Sequence, residues 1–130
     1  MDTSGFYSVA IPRDINFAVA QRIRARVTRD RAVLVTTTYG VAEAHALFLH
    51  RASRDAGVAF LQSFETSAVE LIVPTPEDES AAREIVYRYT DKEFSLTDAI
   101  SFAVMQRLGI LTAFTFDRDF ERYGFASARA

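Results

Sequence analysis

Four acidic residues stand where elements of regular structure are expected to begin or end. Asp2 precedes the first helical segment, Glu43 lies in the early turns of a helix that follows an apolar run, Asp98 falls in a helix N-terminus, and Asp117 closes a strand pattern. Carboxylates brought to one place raise one another's cost of ionisation, so such a set needs protons, arginine partners or a bound cation. Oxygen ligands in a chain without cysteine suit a hard divalent cation, Mg²⁺ or Mn²⁺, which a phosphate substrate would share. Each acid also has a purely structural use. Asp98 is the third residue after Ser95 and can cap its helix, Glu43 can do the same for its own, Asp117 can close the turn Thr115–Asp119, and Asp2 can belong to a loose terminus. Each use is sufficient singly, whereas convergence of the set on one edge favours the metal.

The elements that must position these acids alternate in type. Phe17, Ala20, Ile23 and Val27 recur at helical spacing from Asn16 to Thr28, with Arg22, Arg24, Arg26 and Arg29 between or beside them. Ala32–Thr37 is a short β-branched run that reads as a buried strand, followed by helical patterns over Val41–Ser53 and Val58–Phe64. Ala68–Val73 is a second strand. Thr75-Pro76-Glu77-Asp78-Glu79 supplies a capping hydroxyl, proline at the first helical position and acids in the first turn, so a helix runs from there to about Tyr89. Ser95-Leu96-Thr97-Asp98 caps another, which Gly109 ends. Ile110–Phe116 is then a strand, Asp117–Tyr123 a short helix, and Phe125 opens a last strand. This alternation predicts an α/β fold, a central parallel sheet covered by helices on both faces in three layers. In such sheets the ligand site lies beyond the carboxyl ends of the strands, the edge to which the four acids belong.

Composition narrows the function classes. A chain of 130 residues with 49% hydrophobic and 25% charged residues is the size of one domain with a real core, read as a single unit over residues 1–130. The absence of cysteine excludes disulfides, thiolate metal sites and a cysteine nucleophile, and makes cytoplasm the expected compartment. Asp2 follows Met1 directly, without a leader's basic and apolar runs, and Gln106, Arg107 and Gly109 interrupt the longest apolar stretch, so neither export nor a membrane span is expected. A net charge of −2 gives no overall attraction to nucleic acid, so any such contact must be local.

With their neighbours these residues form a pattern. Asp2-Thr3-Ser4, Glu43 within Thr36-Thr37-Thr38-Tyr39-Gly40-Val41-Ala42-Glu43, Phe94-Ser95-Leu96-Thr97-Asp98-Ala99-Ile100-Ser101-Phe102, and Thr115-Phe116-Asp117-Arg118-Asp119-Phe120 with Gly124-Phe125 resemble the PIN-domain family, and within it the VapC-type toxins. The resemblance spans almost the whole chain. It implies a metal-dependent endoribonuclease in which Asp2, Glu43, Asp98 and Asp117 hold one or two Mg²⁺ or Mn²⁺ ions. It further implies in-line hydrolysis of the phosphodiester by a metal-activated water, leaving a 5′-phosphate and a 3′-hydroxyl. Thr3, Ser4 and Thr97 would orient ligands or waters, Asp119 and Asp91 would assist, and Arg118 and Arg122, flanking Asp117, would meet phosphate. The partners implied are an RNA substrate, a cognate antitoxin whose C-terminal segment covers the acidic groove, and a second copy in a homodimer. The family carries several apolar residues before its first aspartate, and here only Met1 precedes it. The chain is therefore expected either to begin upstream or to have that strand short or replaced.

Other features point elsewhere or nowhere. His45 and His50 are five apart, on different helix faces, and are taken as structural. The face of Arg22, Arg26 and Arg29 suits phosphate or a partner, but a solvated helix face accounts for it more simply. Phe48, Phe60, Phe64, Phe102, Phe114 and Phe116 fall at core-type positions, where packing explains them better than base stacking. Two competing functions remain: a catalytically silent PIN-like binding scaffold, disfavoured by the full acid set, and a phosphoacceptor receiver domain. The receiver needs a lysine after a late strand, and the only lysine, Lys92, follows a helix.

Overall fold

A computed structural model describes residues 1–130. Its helices are α1 (Thr3–Ala10), α2 (Phe17–Arg29), α3 (Thr38–Arg51), α4 (Arg54–Glu65), α5 (Pro76–Arg88), α6 (Leu96–Leu108) and α7 (Asp119–Tyr123), and its strands are β1 (Val35–Thr37), β2 (Glu70–Ile72), β3 (Thr112–Ala113) and β4 (Ala126–Ser127). Both ladders are parallel, as expected of an α/β chain. Val35, Thr36 and Thr37 stand opposite Glu70, Leu71 and Ile72, and Thr112 and Ala113 stand opposite Ala126 and Ser127.

Met1 and Asp2 stitch the two ladders together. The Met1 amine donates to the Val35 carbonyl at 2.7 Å, the Thr36 hydroxyl donates to the Met1 carbonyl at 2.9 Å, and the Asp2 amide donates to the Phe114 carbonyl at 3.2 Å. Met1 and Asp2 thus bridge the two ladders where the family resemblance places a strand. Beside them a cavity of about 280 Å³ opens between Val33, Leu34 and Val35 on one ladder and Thr112 and Ala113 on the other, against Val104 and Met105 of α6. Burial lowers the Met1 amine from its ordinary 8.0 to about 6, against the opposing pull of Asp2.

The strands are shorter than their sequence patterns: β1 begins only at Val35, the Leu34 carbonyl still accepts from the Glu70 amide at 2.9 Å, and Val33 is 65% exposed beside the cavity. The first helix is the main element that the patterning does not assign. α1 has no acid in its first turn and is started by Asp2, which accepts from the Gly5 amide as N-cap.

Three apolar clusters hold the helices. Phe6 and Tyr7 of α1 pack with Phe48 of α3 and Phe60 of α4, the last two stacked at 4.9 Å between ring centroids. Ile85, Phe94, Ile100, Phe102 and Phe120 form a second cluster joining α5, α6 and α7. Ala20, Ile23 and Phe114 seat α2 on the β3 segment. Of the phenylalanines expected in the core, Phe48, Phe60, Phe102 and Phe114 are buried, while Phe64 and Phe116 cover cluster edges. No helix is long and apolar enough to cross a membrane.

Candidate active site

Asp2 is fixed from three directions. Its Oδ1 accepts from the Gly5 amide at 2.9 Å and from the Ser4 hydroxyl at 2.8 Å, and its Oδ2 accepts from the Thr115 hydroxyl at 2.7 Å. Each hydroxyl, having given its proton to Asp2, accepts from the loop after β3: Ser4 Oγ from the Phe116 amide and Thr115 Oγ1 from the Asp117 amide, both at 2.9 Å. Asp117 continues the chain, its Oδ1 accepting from the Asp119 amide at 2.9 Å. The cap of α1 and the start of α7 are thereby set in one register. Burial raises the Asp2 carboxyl above the ordinary value, and these hydrogen bonds oppose that rise.

Glu43 reaches the same place from α3. Thr37 caps that helix by accepting from the Gly40 amide at 3.0 Å, and a Cβ at Gly40 would lie 2.9 Å from the Thr36 hydroxyl oxygen. Glycine is therefore what lets the first turn of α3 lie against β1. One turn further, Glu43 Oε2 accepts from the Thr3 hydroxyl at 2.8 Å.

Asp98 comes from the start of α6, where Ser95 Oγ accepts from its amide at 3.1 Å. Its carboxyl is pushed up to about 7, first by burial, then by the negative charges of Asp117, Glu43 and Asp2, with Ser95 offsetting a little. One carboxylate oxygen from each of Asp98, Asp117 and Asp119 lies within 4.8 Å of the others. Asp2, Glu43, Asp98 and Asp117 line one open cavity with Thr3 and Ser4. Helices α1 and α6 begin there, and their N-terminal dipoles favour negative charge, while α3 passes along the cavity from Glu43 to Arg51.

The remaining candidates divide. Asp119 joins the cluster but also pairs with Arg122 at 2.9 Å, so that guanidinium is already engaged. Arg118 is exposed in an adjoining depression that shares Phe116 and Asp117 with the acidic cavity. Asp91 pairs with Lys92 at 2.9 Å in a separate depression beside Asp119 and Arg122, away from the acidic cavity. The Thr97 side chain makes no hydrogen bond and is not among the residues lining that cavity. Sequence reasoning did not single out Tyr7, Asp14 or Arg51, which also line it. The signal available for Arg51 was its spacing: Glu43, Leu47 and Arg51 follow one another at four-residue intervals along α3, and all three face the cavity.

The donor set fits a hard cation. Only oxygen ligands converge, Asp98 is raised to about 7 by burial and then by the neighbouring negative charges, and neither Asp98 nor Asp117 has an arginine or lysine partner within salt-bridge distance. A divalent ion would relieve that repulsion.

Comparison with known proteins agrees with this arrangement. Against family models, residues 1–126 match the PIN domain. The 23S rRNA-specific endonuclease VapC20 of Mycobacterium tuberculosis is 31% identical over 129 residues, covering 99% of this chain and 96% of its own, in strain CDC 1551 / Oshkosh and in strain ATCC 25618 / H37Rv alike. The crystal structure of VapC20, described as a Sarcin-Ricin loop cleaving toxin, superposes with a TM-score of 0.91 at 30% identity, covering 99% of this chain and 97% of that one. Family match, whole-length likeness and the carboxylates gathered in one cavity lead to one assignment: this chain belongs to the PIN-domain family.

Proposed function

We propose that this protein is a metal-dependent endoribonuclease, the toxin of a toxin–antitoxin pair, and that its substrate is the sarcin–ricin loop of 23S rRNA. The observation that carries the reading is the cluster of Asp98, Asp117 and Asp119, with Asp98 pushed up to about 7, on a chain similar over its whole length to an endonuclease of that specificity. Asp2, Glu43, Asp98 and Asp117 would hold Mg²⁺ or Mn²⁺, with Asp119 as a further oxygen donor. The ion would supply an activated water and would neutralise charge on the attacking and leaving oxygens of the phosphodiester.

The chain's own residues do the positioning. Ser4 and Thr115 present the Asp2 carboxylate in one orientation, and Thr3 does the same for Glu43, so the site is shaped before substrate arrives. The exposed Arg118 beside Asp117 is a phosphate contact on one flank. Hydrolysis at this site leaves a 5′-phosphate and a 3′-hydroxyl. A cognate antitoxin silences the enzyme by laying a segment over the acidic groove, and the protein works in the cytoplasm as a homodimer.

The test is cleavage of 23S rRNA by the purified protein with Mn²⁺, with EDTA, and with Asp98→Asn. Cleavage that needs the ion and disappears in the variant supports the reading. Metal-independent cleavage, or wild-type cleavage by the variant, overturns it, and RNA binding without cleavage supports the scaffold function instead.

A further inference from the structure

The acidic cavity holds one cation that the nuclease reading does not use. Arg51, in the last turn of α3, lines the cavity together with Asp2, Glu43, Asp98 and Asp117 and is the only basic residue that does. Its guanidinium makes no salt bridge and no hydrogen bond, although Glu43 and Asp14 line the same cavity. Those acids are otherwise occupied: Glu43 accepts from Thr3 at 2.8 Å, and Asp14 Oδ1 accepts from the Ser8 hydroxyl at 2.9 Å and the Asn16 amide at 2.8 Å. Arg51 is instead held by an aromatic face. Its guanidinium carbon lies 5.9 Å from the centre of the Tyr7 ring, which is buried and itself packed on Phe48 at 5.3 Å.

An arginine stacked on a fixed ring keeps its N–H fork free while losing much of its rotamer freedom in advance. Its distance from the carboxylates follows from the helix. Glu43 and Arg51 are eight residues apart on α3, a rise of roughly 12 Å along the helix axis, and the guanidinium makes no ion pair with any of the carboxylates. The depression that shares Phe116 and Asp117 with the acidic cavity is lined by Arg118 and Arg129. The carboxylate cavity therefore has one guanidinium in its own lining and two more in the depression beside it, a place for a cation with anion contacts next to it.

We infer that Arg51 is a phosphate-binding residue for the RNA backbone, taking a phosphodiester next to the scissile one, so that the strand runs from Arg51 across the carboxylate cluster towards Arg118. This rests on the nuclease reading and adds a binding residue and a strand path to it. Arg51 holds the strand and takes no part in moving protons at the scissile phosphate.

Binding of a fluorescein-labelled sarcin–ricin stem-loop RNA tests it, by anisotropy across a salt series with EDTA present, so that no ion supports cleavage. Arg51→Ala is expected to raise Kd roughly tenfold at low salt and to reduce the slope of log Kd against log salt by about 0.7, the loss of one phosphate contact on a single strand. Arg51→Lys keeps the charge without the fork and falls between the two. Arg24→Ala, an exposed arginine of α2 outside both depressions, leaves slope and Kd as they were. In the cleaving protein, Arg51→Ala raises KM by the same factor with kcat within about threefold, the sign of lost ground-state binding. An unchanged slope in Arg51→Ala overturns the assignment while leaving the nuclease reading intact. If the parent protein neither binds this RNA nor cleaves it with Mn²⁺, both fall together.

Discussion

The Thr115 hydroxyl donates to Asp2 Oδ2 at 2.7 Å, joining the cap of α1 to the segment after β3 across 113 residues of sequence. The same hydroxyl accepts from the Asp117 amide, so one oxygen sets the positions of two carboxylates. The acidic site is thus assembled by tertiary contacts on which both its geometry and its charge depend.

Gly5 is the closest approach of α1 to β3. A Cβ there would lie 2.6 Å from the Phe114 carbonyl oxygen, a backbone atom that cannot swing aside. Gly5→Ala is expected to cost about 1–3 kcal/mol in urea unfolding, because the helix must lift off the strand. Asp2 and Ser4 move with it, so Mn²⁺ affinity falls as well. Unaltered stability and affinity would mean that this contact does not set the site.

Asp98 weighs against the fold when no cation is bound. Its carboxyl is raised to about 7 in the folded chain, so between its ordinary value of 3.8 and that point the folded state holds a proton that the unfolded state has released. Stability contributed by the group therefore falls as pH rises through this window. With EDTA at pH 8, Asp98→Asn is expected to be more stable than the parent by on the order of 1 kcal/mol, a gain that vanishes near pH 4. Equal stability at both pH values would contradict the repulsion.

Asp78 is the counter-case, an acid built for the fold. It completes a capping box with Thr75, and Arg107 Nε and Nη2 donate to its two oxygens at 2.8 Å each, which holds its carboxyl down at about 2. The stabilisation is complete above the ordinary carboxylate range and is lost as pH falls towards 2. Asp78→Ala is expected to cost about 2–4 kcal/mol at pH 7, to flatten acid unfolding in that window, and to leave cleavage per folded molecule intact. Loss of cleavage at full stability would tie Asp78 to the site instead.

Local signals in the sequence account for most of the fold and for the central acids. The helix starting at Thr75 and the cap at Ser95 followed from residues within one turn, and the structure has both. Asp2 and Asp98 lie at helix starts, Asp117 follows β3 and Glu43 is in the second turn of α3, and all four line one cavity. What was not legible depends on contacts far apart in sequence. α1 has no amphipathic period to betray it, and its cap is also a cluster acid. β1 and β3 cover only Val35–Thr37 and Thr112–Ala113 of longer apolar runs, and Met1 and Asp2 bond to the Val35 and Phe114 carbonyls between the ladders, contacts that no apolar run records. Asp91 reads as one more acid near the motif, and in the fold it pairs with Lys92 in a depression that it shares with Asp119. Arg51 reads as the end of a helix, and its place becomes visible only when Tyr7 of α1 lies beneath it.

The central claim is that these carboxylates form a cation site, and calorimetric titration of Mn²⁺ into the purified protein at pH 8 and pH 6, beside Asp98→Asn, tests it most directly. The account predicts saturable binding at pH 8 that weakens by roughly tenfold per pH unit below 7, as the Asp98 proton competes with the ion, and that is lost in the variant. Binding that ignores both pH and the Asp98 substitution, or no binding at all, would contradict it.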